Sequence, residues 1–175
     1  PDGIGEPKII SYNKDNCQDV VTIKPIELCF YNETKNSRNL YDVSLLKLNI
    51  TGDKVSGQFR NIPAEKDSKV GAFEGSVGPV DKTAMARTVD AWWNSEAEGM
   101  KVKEQLKIVF GEGSAQVAFG EMVDRGDGVY IYKDPTKLKY GVSMSDTTCS
   151  DVDDHLIVER YIKDNIKTLA PAKAV

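Results

Sequence analysis

Residues 53–77 read DKVSGQFRNIPAEKDSKVGAFEGSV, and this stretch decides the fold. Two strand-forming arms surround the charged tip at residues 63–69, which predicts a β-hairpin. Gly57, Gly71 and Gly75 lie inside the arms, where glycine normally weakens a strand. Strands tolerate glycine at bulges, at sharp bends and where two backbones approach closely. The repeated glycines therefore predict a sheet that curls, as in a small barrel.

Other strand patterns extend this hairpin in both directions. Residues 101–110 alternate polar with apolar side chains, as in a strand with one buried face, and Glu104 interrupts the apolar side. The run at residues 41–50 has one apolar face, formed by Ser44, Leu46, Leu48 and Ile50. Short turns rich in Gly, Asp and Pro separate these runs, which favours antiparallel neighbours. We predict an all-β domain of about eight strands over residues 21–142, an antiparallel meander that closes into a lipocalin-like or lysozyme-inhibitor-like barrel.

The last segment changes from strand to helix periodicity. A helical face is predicted over about residues 153–169, ended by Pro171, from the spacing of Val158, Ile162, Ile166 and Leu169. The predicted division of the chain is an N-terminal linker (1–17), a barrel-like domain (18–150), a C-terminal helix (151–170) and a tail (171–175).

Composition excludes some classes of function. The chain has 175 residues and a formal net charge of −4, with no basic block to offset it, which argues against nucleic-acid binding. No apolar run reaches the roughly 18 residues of a transmembrane helix. The opening PDGIGEPK lacks the pattern of a signal peptide, and the missing Met fits either a removed export signal or a choice of cloned segment.

Three cysteines, Cys17, Cys29 and Cys149, offer little to a metal ion. They form no CxxC pair, and His155 is the lone histidine, so we predict no metal site and no cofactor. Two of the three cysteines can form a disulfide in three different pairings. Three buried free thiols are the alternative.

An ordered series of short motifs spans roughly residues 26–149. It comprises Cys29-Phe30-Tyr31, Gly52-Asp53-Lys54-Val55-Ser56-Gly57, Glu65-Lys66-Asp67, Gly71-Ala72-Phe73-Glu74-Gly75, Ser95-Glu96-Ala97-Glu98-Gly99, Phe119-Gly120-Glu121-Met122, Tyr132-Lys133-Asp134 and Cys149. In this order the motifs resemble those of small uncharacterised secreted lipoproteins of Bacteroidetes and related bacteria. The chain departs from that pattern at Phe30, where the family has tyrosine, and in an expanded Ser-Glu turn.

The resemblance implies a location and a disulfide. It implies an exported protein, periplasmic or anchored at the outer membrane, that touches the membrane only through a lipid anchor upstream of Pro1. It also implies a bridge between Cys29 and Cys149, with Cys17–Cys29 as the rival pairing. The family has no established activity, so the resemblance implies no chemistry.

Acidic residues are the first candidates for chemistry. Glu65, Asp67 and Glu74 surround one hairpin, and further acids surround the next. We interpret these as solvated turn residues, and the Glu-Lys-Asp tip as a charge that blunts edge pairing. Glu104 and Glu121 differ, because each is expected in a strand on a side that otherwise reads apolar. Such an inward carboxylate is either paired or functional, and Arg60 and Arg87 are candidate partners.

Trp92 and Trp93 are the most prominent apolar pair. Neighbours in a strand face opposite sides, so one ring is predicted to point inward and the other outward. The outward ring is a candidate contact for a sugar, a lipid or a protein; the alternative, which we favour, is that the terminal helix covers it.

Familiar catalytic motifs are missing. There is no GxSxG sequence, and Gly111-Glu112-Gly113-Ser114 is too short for a phosphate loop. The Asp124-Arg125-Gly126-Asp127 stretch is interpreted as a turn rather than a calcium or integrin motif.

The sequence therefore favours a non-enzymatic, exported binding or structural module. Trp92, Trp93, Glu104 and Glu121 are its candidate ligand-binding residues. A small apolar ligand inside a hollow barrel, or another envelope protein, is the expected partner. The alternatives are a periplasmic inhibitor or protein-binding barrel, and a hydrolase that uses Glu104 and Glu121.

Overall fold

A computed structural model describes residues 8–13 and 18–153, with side chains described from Ile23 onward. Twelve strands account for most of these residues. They are β1 (Lys8–Asn13), β2 (Gln18–Ile23), β3 (Ile26–Lys35), β4 (Tyr41–Thr51), β5 (Lys54–Ile62), β6 (Lys69–Val77), β7 (Ala86–Ala97), β8 (Met100–Gly111), β9 (Ser114–Phe119), β10 (Met122–Asp124), β11 (Val129–Tyr132) and β12 (Lys139–Thr147). A 3-10 turn, Pro135–Lys137, precedes β12.

Eight of the strands form a closed antiparallel barrel, which confirms the predicted fold class. Their order is β8-β7-β6-β5-β4-β3-β12-β9, and β9 pairs with β8 to complete the circle. From β3 to β9 each strand of the barrel pairs with its neighbour in sequence, because connections of two to eight residues join them. The last barrel strand, β12, lies between β9 and β3 and closes the ring.

The barrel interior is filled with large apolar side chains. Alternate residues of every strand point inward, and the buried cluster includes Phe30, Leu46, Leu48, Phe59, Phe73, Trp93, Ile108, Phe110 and Met144. An eight-stranded barrel is just wide enough for side chains to fill its interior. The alternation in β4 and β8 that predicted this core is therefore confirmed.

Glycines inside the strands allow neighbouring backbones to approach closely. A Cβ added at Gly71 would lie 1.9 Å from the Asn94 carbonyl oxygen, and one at Gly75 would lie 2.1 Å from the Asp90 carbonyl oxygen. Both glycines belong to β6, whose partner β7 supplies those carbonyls. This close approach is the physical reason why the curled sheet needs glycine at these positions.

Arg87 bonds to two turns of the barrel. At one end, the buried Arg87 guanidinium donates hydrogen bonds to the carbonyl oxygens of Gly78, at 2.7 Å, and Gly52, at 3.4 Å. Its position opposite Phe110 places it far along β8 from Glu104, which lies opposite Trp93. Arg87 therefore ties two turns to the barrel wall and is not the partner of Glu104.

Beyond the barrel, β10 and β11 extend the sheet from β8. The parallel pairing of β11 with β8 is reinforced by the Tyr132 hydroxyl, which accepts from the Lys107 backbone N–H and donates to the Ala118 carbonyl. Burial raises the pKa of Tyr132 to about 12. The side chain therefore remains a neutral donor at physiological pH and joins β11 to both β8 and β9.

The segment predicted as an N-terminal linker (1–17) contains a strand. Lys8–Asn13 pairs with Gln18–Ile23 as a separate two-stranded antiparallel sheet. The β-branched residues of these segments favour strands, and the Gly and Pro of the opening residues obscured that pattern. The barrel itself begins at β3 rather than at residue 18.

The C-terminal helix begins at residue 149, two residues before its predicted start. Val152 in its first turn packs against Leu45 and Cys29 on the outside of the barrel. The predicted helical face from Val158 to Leu169 and the tail lie outside the described residues.

Candidate functional site

The inward-facing tryptophan has a structural role. Trp93 is buried, packs against Phe59 with ring centroids 5.0 Å apart, and donates from its indole nitrogen to the Gly71 carbonyl oxygen at 3.0 Å. A buried indole needs such a partner for its N–H. Trp93 therefore belongs to the core rather than to a ligand site.

Glu104 is buried and paired, as the sequence indicated, but with an unforeseen partner. Its carboxylate accepts from the Lys69 ammonium at 2.5 Å and from the Ser95 hydroxyl at 3.2 Å. The Lys69 ammonium also lies 5.2 Å from the centre of the Trp93 ring. These contacts satisfy the carboxylate and stabilise it in the barrel interior. Arg60, the other expected partner, lies on the opposite face of β5 from the inward Phe59.

Glu121 is not where the sequence predicted it. β9 ends at Phe119, and Gly120 and Glu121 form a connection before β10. The side chain of Glu121 is 70% exposed and forms a 3.4 Å ion pair with Lys133. A hydrolase with two buried acids requires both carboxylates in one cleft, so Glu121 does not supply the second acid.

Trp92 is the outward-facing ring of the pair on β7, and it is half-buried. Two cations flank its ring: the Lys103 ammonium lies 5.6 Å and the Arg125 guanidinium carbon 5.5 Å from the ring centre. Arg125 is itself held by Asp127. Cation–π contacts of this kind hold the indole in one orientation. Cover from the terminal helix was predicted instead, and the relevant helical segment lies outside the described residues.

The outer face around Trp92 carries a row of side chains in register across four strands. Asn49 of β4 lies opposite Ser56 of β5, Ser56 opposite Glu74 of β6, and Glu74 opposite Trp92 of β7. Strands lie about 4.8 Å apart, so the row from Asn49 to Trp92 spans about 14 Å. Asn49, Ser56 and Glu74 are all exposed.

Two adjoining depressions follow this row, and we call them together the outer trough. One, of about 780 Å³, includes Trp92 and Ser76; the other, of about 510 Å³, includes Gln58 and Asn94. Both are lined by Asn49, Ser56 and Glu74. Sequence reasoning found Trp92 but missed its neighbours, because only the strand register brings them together.

The charged rim of the outer trough is organised by Lys47. Its ammonium forms ion pairs with Asp153 at 2.9 Å and Glu27 at 3.6 Å. The hydrogen bond to Asp153 raises the pKa of Lys47, with further contributions from both carboxylates. The C-terminal helix is thus tied by charge to the strand that forms one side of the trough.

The Asp124–Asp127 stretch forms a turn, as interpreted from the sequence. One Asp124 carboxylate oxygen accepts from the backbone N–H groups of Gly126 and Gly128, and Asp127 accepts from Val129. The Arg125 guanidinium lowers the pKa of Asp127. These carboxylates are used by the turn itself, which argues against a calcium site here.

Two acids from different hairpins meet on the surface. The carboxyl of Glu98, in the β7–β8 turn, hydrogen-bonds to that of Asp67, in the charged tip before β6. This contact, and the negative charge of Asp67, raise the pKa of Glu98. Both groups are exposed, so they form a pH-sensitive surface contact rather than an enclosed acid pair.

Cys29 and Cys149 form a disulfide, the bridge that the resemblance implied. Their Cα atoms lie 5.1 Å apart and their sulfur atoms are bonded. Glu27 is the third member of a small group of potential metal ligands with these cysteines. Because both sulfurs are used by the disulfide, the group offers no thiolate to a metal ion.

Comparison of the chain with protein-family models, with curated proteins and with solved structures finds no match. Among the residues that the structure describes, no helix is both long and apolar enough to cross a membrane.

Proposed function

We propose that the protein is an exported, non-enzymatic binding module that holds its ligand on the outside of the barrel, in the outer trough. The observation that carries this proposal is that large side chains occupy the barrel interior, from Phe30 through Phe59 to Phe110. A lipocalin-like ligand would have to displace that core. A depression on the outer face requires no such rearrangement.

The composition of the outer trough supports a binding role. Trp92 supplies a large, oriented ring, and Asn49, Ser56 and Glu74 supply exposed polar groups in one line. Binding sites typically combine apolar surface with a few placed polar groups. Glu104, in contrast, already has Lys69 and Ser95 as partners, which supports a structural rather than a catalytic role.

The disulfide supports the exported location. Bridges such as Cys29–Cys149 form and persist in oxidising compartments and are rare in the cytosol. The proposal also includes a lipid anchor upstream of Pro1, which only the resemblance supports.

Site-specific photocrosslinking in the native host tests the proposal. A benzophenone amino acid replaces Ser56, inside the trough, or Gln116, an exposed residue of β9 that serves as the control. We expect an adduct from position 56 that disappears when Trp92→Ala is added, and no such adduct from position 116. Equal labelling at both positions, or labelling that ignores Trp92→Ala, contradicts the proposal.

A further inference from the structure

We propose that the outer trough binds an uncharged oligosaccharide, laid across β4 to β7 along the row from Asn49 to Trp92. This inference rests on the proposed function and adds the chemical class of the ligand. Asn49, Ser56 and Glu74 follow one another on successive strands. An extended ligand that crosses the strands therefore meets a new polar side chain at every step of about 4.8 Å.

The hydrogen-bonding groups of the outer trough match those of sugar hydroxyls. A hydroxyl both donates and accepts, so it is best met by side chains that offer both functions. Asn49, Gln58 and Asn94 present amides, Ser56 presents a hydroxyl, and Glu74 presents a carboxylate in the middle of the row. These groups do not require a ligand of one fixed shape, whereas an arginine guanidinium favours a carboxylate or phosphate that can accept two parallel hydrogen bonds.

The aromatic ring lies at the end of the polar row. Trp92 has an apolar ring and an N–H donor, and it is fixed by Lys103 and Arg125. Because Trp92 is already oriented, little side-chain entropy is lost when a ligand packs against its exposed part. Sugar rings present C–H groups on their faces, and the part of the indole that Lys103 and Arg125 leave exposed offers an apolar surface for them.

Charge and polarity exclude other occupants. The charged residues that line the trough or lie beside Trp92 are four cations and four anions: Lys47, Lys54, Lys103, Arg125, Asp53, Glu74, Asp127 and Asp153. This balance disfavours an anionic polymer. A lipid needs a broad and unbroken apolar surface, but the exposed polar side chains of Asn49, Ser56 and Glu74 interrupt the trough.

Titration calorimetry with defined oligosaccharides tests the ligand class. The probes are the neutral hexasaccharides of cellulose, xylan, mannan, amylose and chitin, and the anionic hexagalacturonate and heparin hexasaccharide. We expect at least one neutral probe to bind with a Kd below about 1 mM and to exceed the corresponding trisaccharide in affinity. The anionic probes should bind more weakly. If no neutral probe binds, or if only anionic probes bind, the proposal is overturned.

Matched variants connect binding to the row. Trp92→Ala should lower the affinity about tenfold or more, and Trp92→Phe should retain most of it. Tyr41→Ala is the control, because Tyr41 is also an exposed ring beneath a cation, with the Lys35 ammonium 5.9 Å from its centre, and should bind as wild type. A neutral probe that binds equally well to Trp92→Ala also overturns the proposal.

The two proposals fail in different ways. Crosslinks at position 56 that depend on Trp92, together with no binding of neutral hexasaccharides, retain the trough as a binding site and reject the sugar. Neutral sugar binding that is unaffected by Trp92→Ala rejects the trough as its location.

Discussion

Glu74 and Trp92 lie directly opposite each other on β6 and β7, on the outer face of the barrel. Their inward neighbours on the same strands are Phe73 and Trp93, which also face each other but inside the core. One pair of strands therefore separates two tasks by alternation alone. The inner pair stabilises the fold, and the outer pair remains accessible at the surface.

The buried ion pair at one barrel end should contribute strongly to stability. Glu104→Gln removes the charge that compensates Lys69, and we expect the free energy of unfolding to fall by about 1–3 kcal/mol, moderated because the Lys69 side chain is 38% exposed. Urea denaturation measures the change. The exposed Lys133–Glu121 pair provides the control, since Glu121→Gln should cost under about 1 kcal/mol. Equal losses for the two variants would contradict the assigned role of Glu104.

The disulfide should contribute more than any single side-chain contact. It closes a loop with a sequence separation of 120 residues, for which chain entropy gives about 4–5 kcal/mol. We expect Cys149→Ser to lower the urea midpoint markedly. Titration of thiols in the denatured, unreduced protein should find one free thiol, from Cys17. Three free thiols in protein isolated from its own host would argue against both the bridge and export.

The contact between Glu98 and Asp67 should respond to pH. Because the pKa of Glu98 is raised in the folded state, the fold favours its protonated form, and the contact between the two turns strengthens as pH falls through that pKa. Conversely, this stabilisation disappears as pH rises above it. Carbon-detected NMR titration of the Glu98 carboxyl should give a midpoint above the ordinary glutamate value. Asp67→Asn should move that midpoint back toward the ordinary value; an unchanged midpoint would exclude Asp67 as the cause.

Two glycine variants test whether close strand approach requires Gly71. Gly71→Ala places a Cβ 1.9 Å from the Asn94 carbonyl oxygen, so β6 and β7 must move apart, and we expect a loss of about 3 kcal/mol. Gly141→Ala is the matched control, because its added Cβ would lie 3.5 Å from the Phe119 ring, an ordinary contact. Thermal unfolding compares them. Similar melting temperatures for both variants would show that the sheet relaxes around Gly71.

Local patterns sufficed to predict the barrel and the sides of several residues. Alternation placed Glu104 inward and predicted that Trp92 and Trp93 face opposite sides, because strand periodicity is visible within a few residues; the structure shows that Trp93 is the inward ring. The same reasoning predicted that Glu121 lies in a strand, but β9 ends at Phe119. Nothing in the local sequence before Gly120 marks the end of that strand.

Contacts between side chains of different strands could not be predicted from the sequence. Lys69 and Glu104 come from β6 and β8, and they meet across β7, a contact that depends on the register of three strands. The row from Asn49 to Trp92 likewise depends on three successive registers. The sequence alone does not give the register between strands, so it does not reveal which strand residues lie opposite each other. A shift of one residue would move every side chain to the other face of the sheet.

The most direct test of the central claim compares an outer with an inner ligand by NMR. Amide and indole spectra are recorded with the neutral hexasaccharides and, separately, with lauric acid as a probe for an apolar cavity. The account predicts that a hexasaccharide shifts the signals of Asn49, Ser56, Glu74 and the Trp92 indole, while Leu48 and Ile108 in the core stay unchanged. Saturable binding of lauric acid that shifts Leu48 and Ile108, with no response along the outer row, would contradict it.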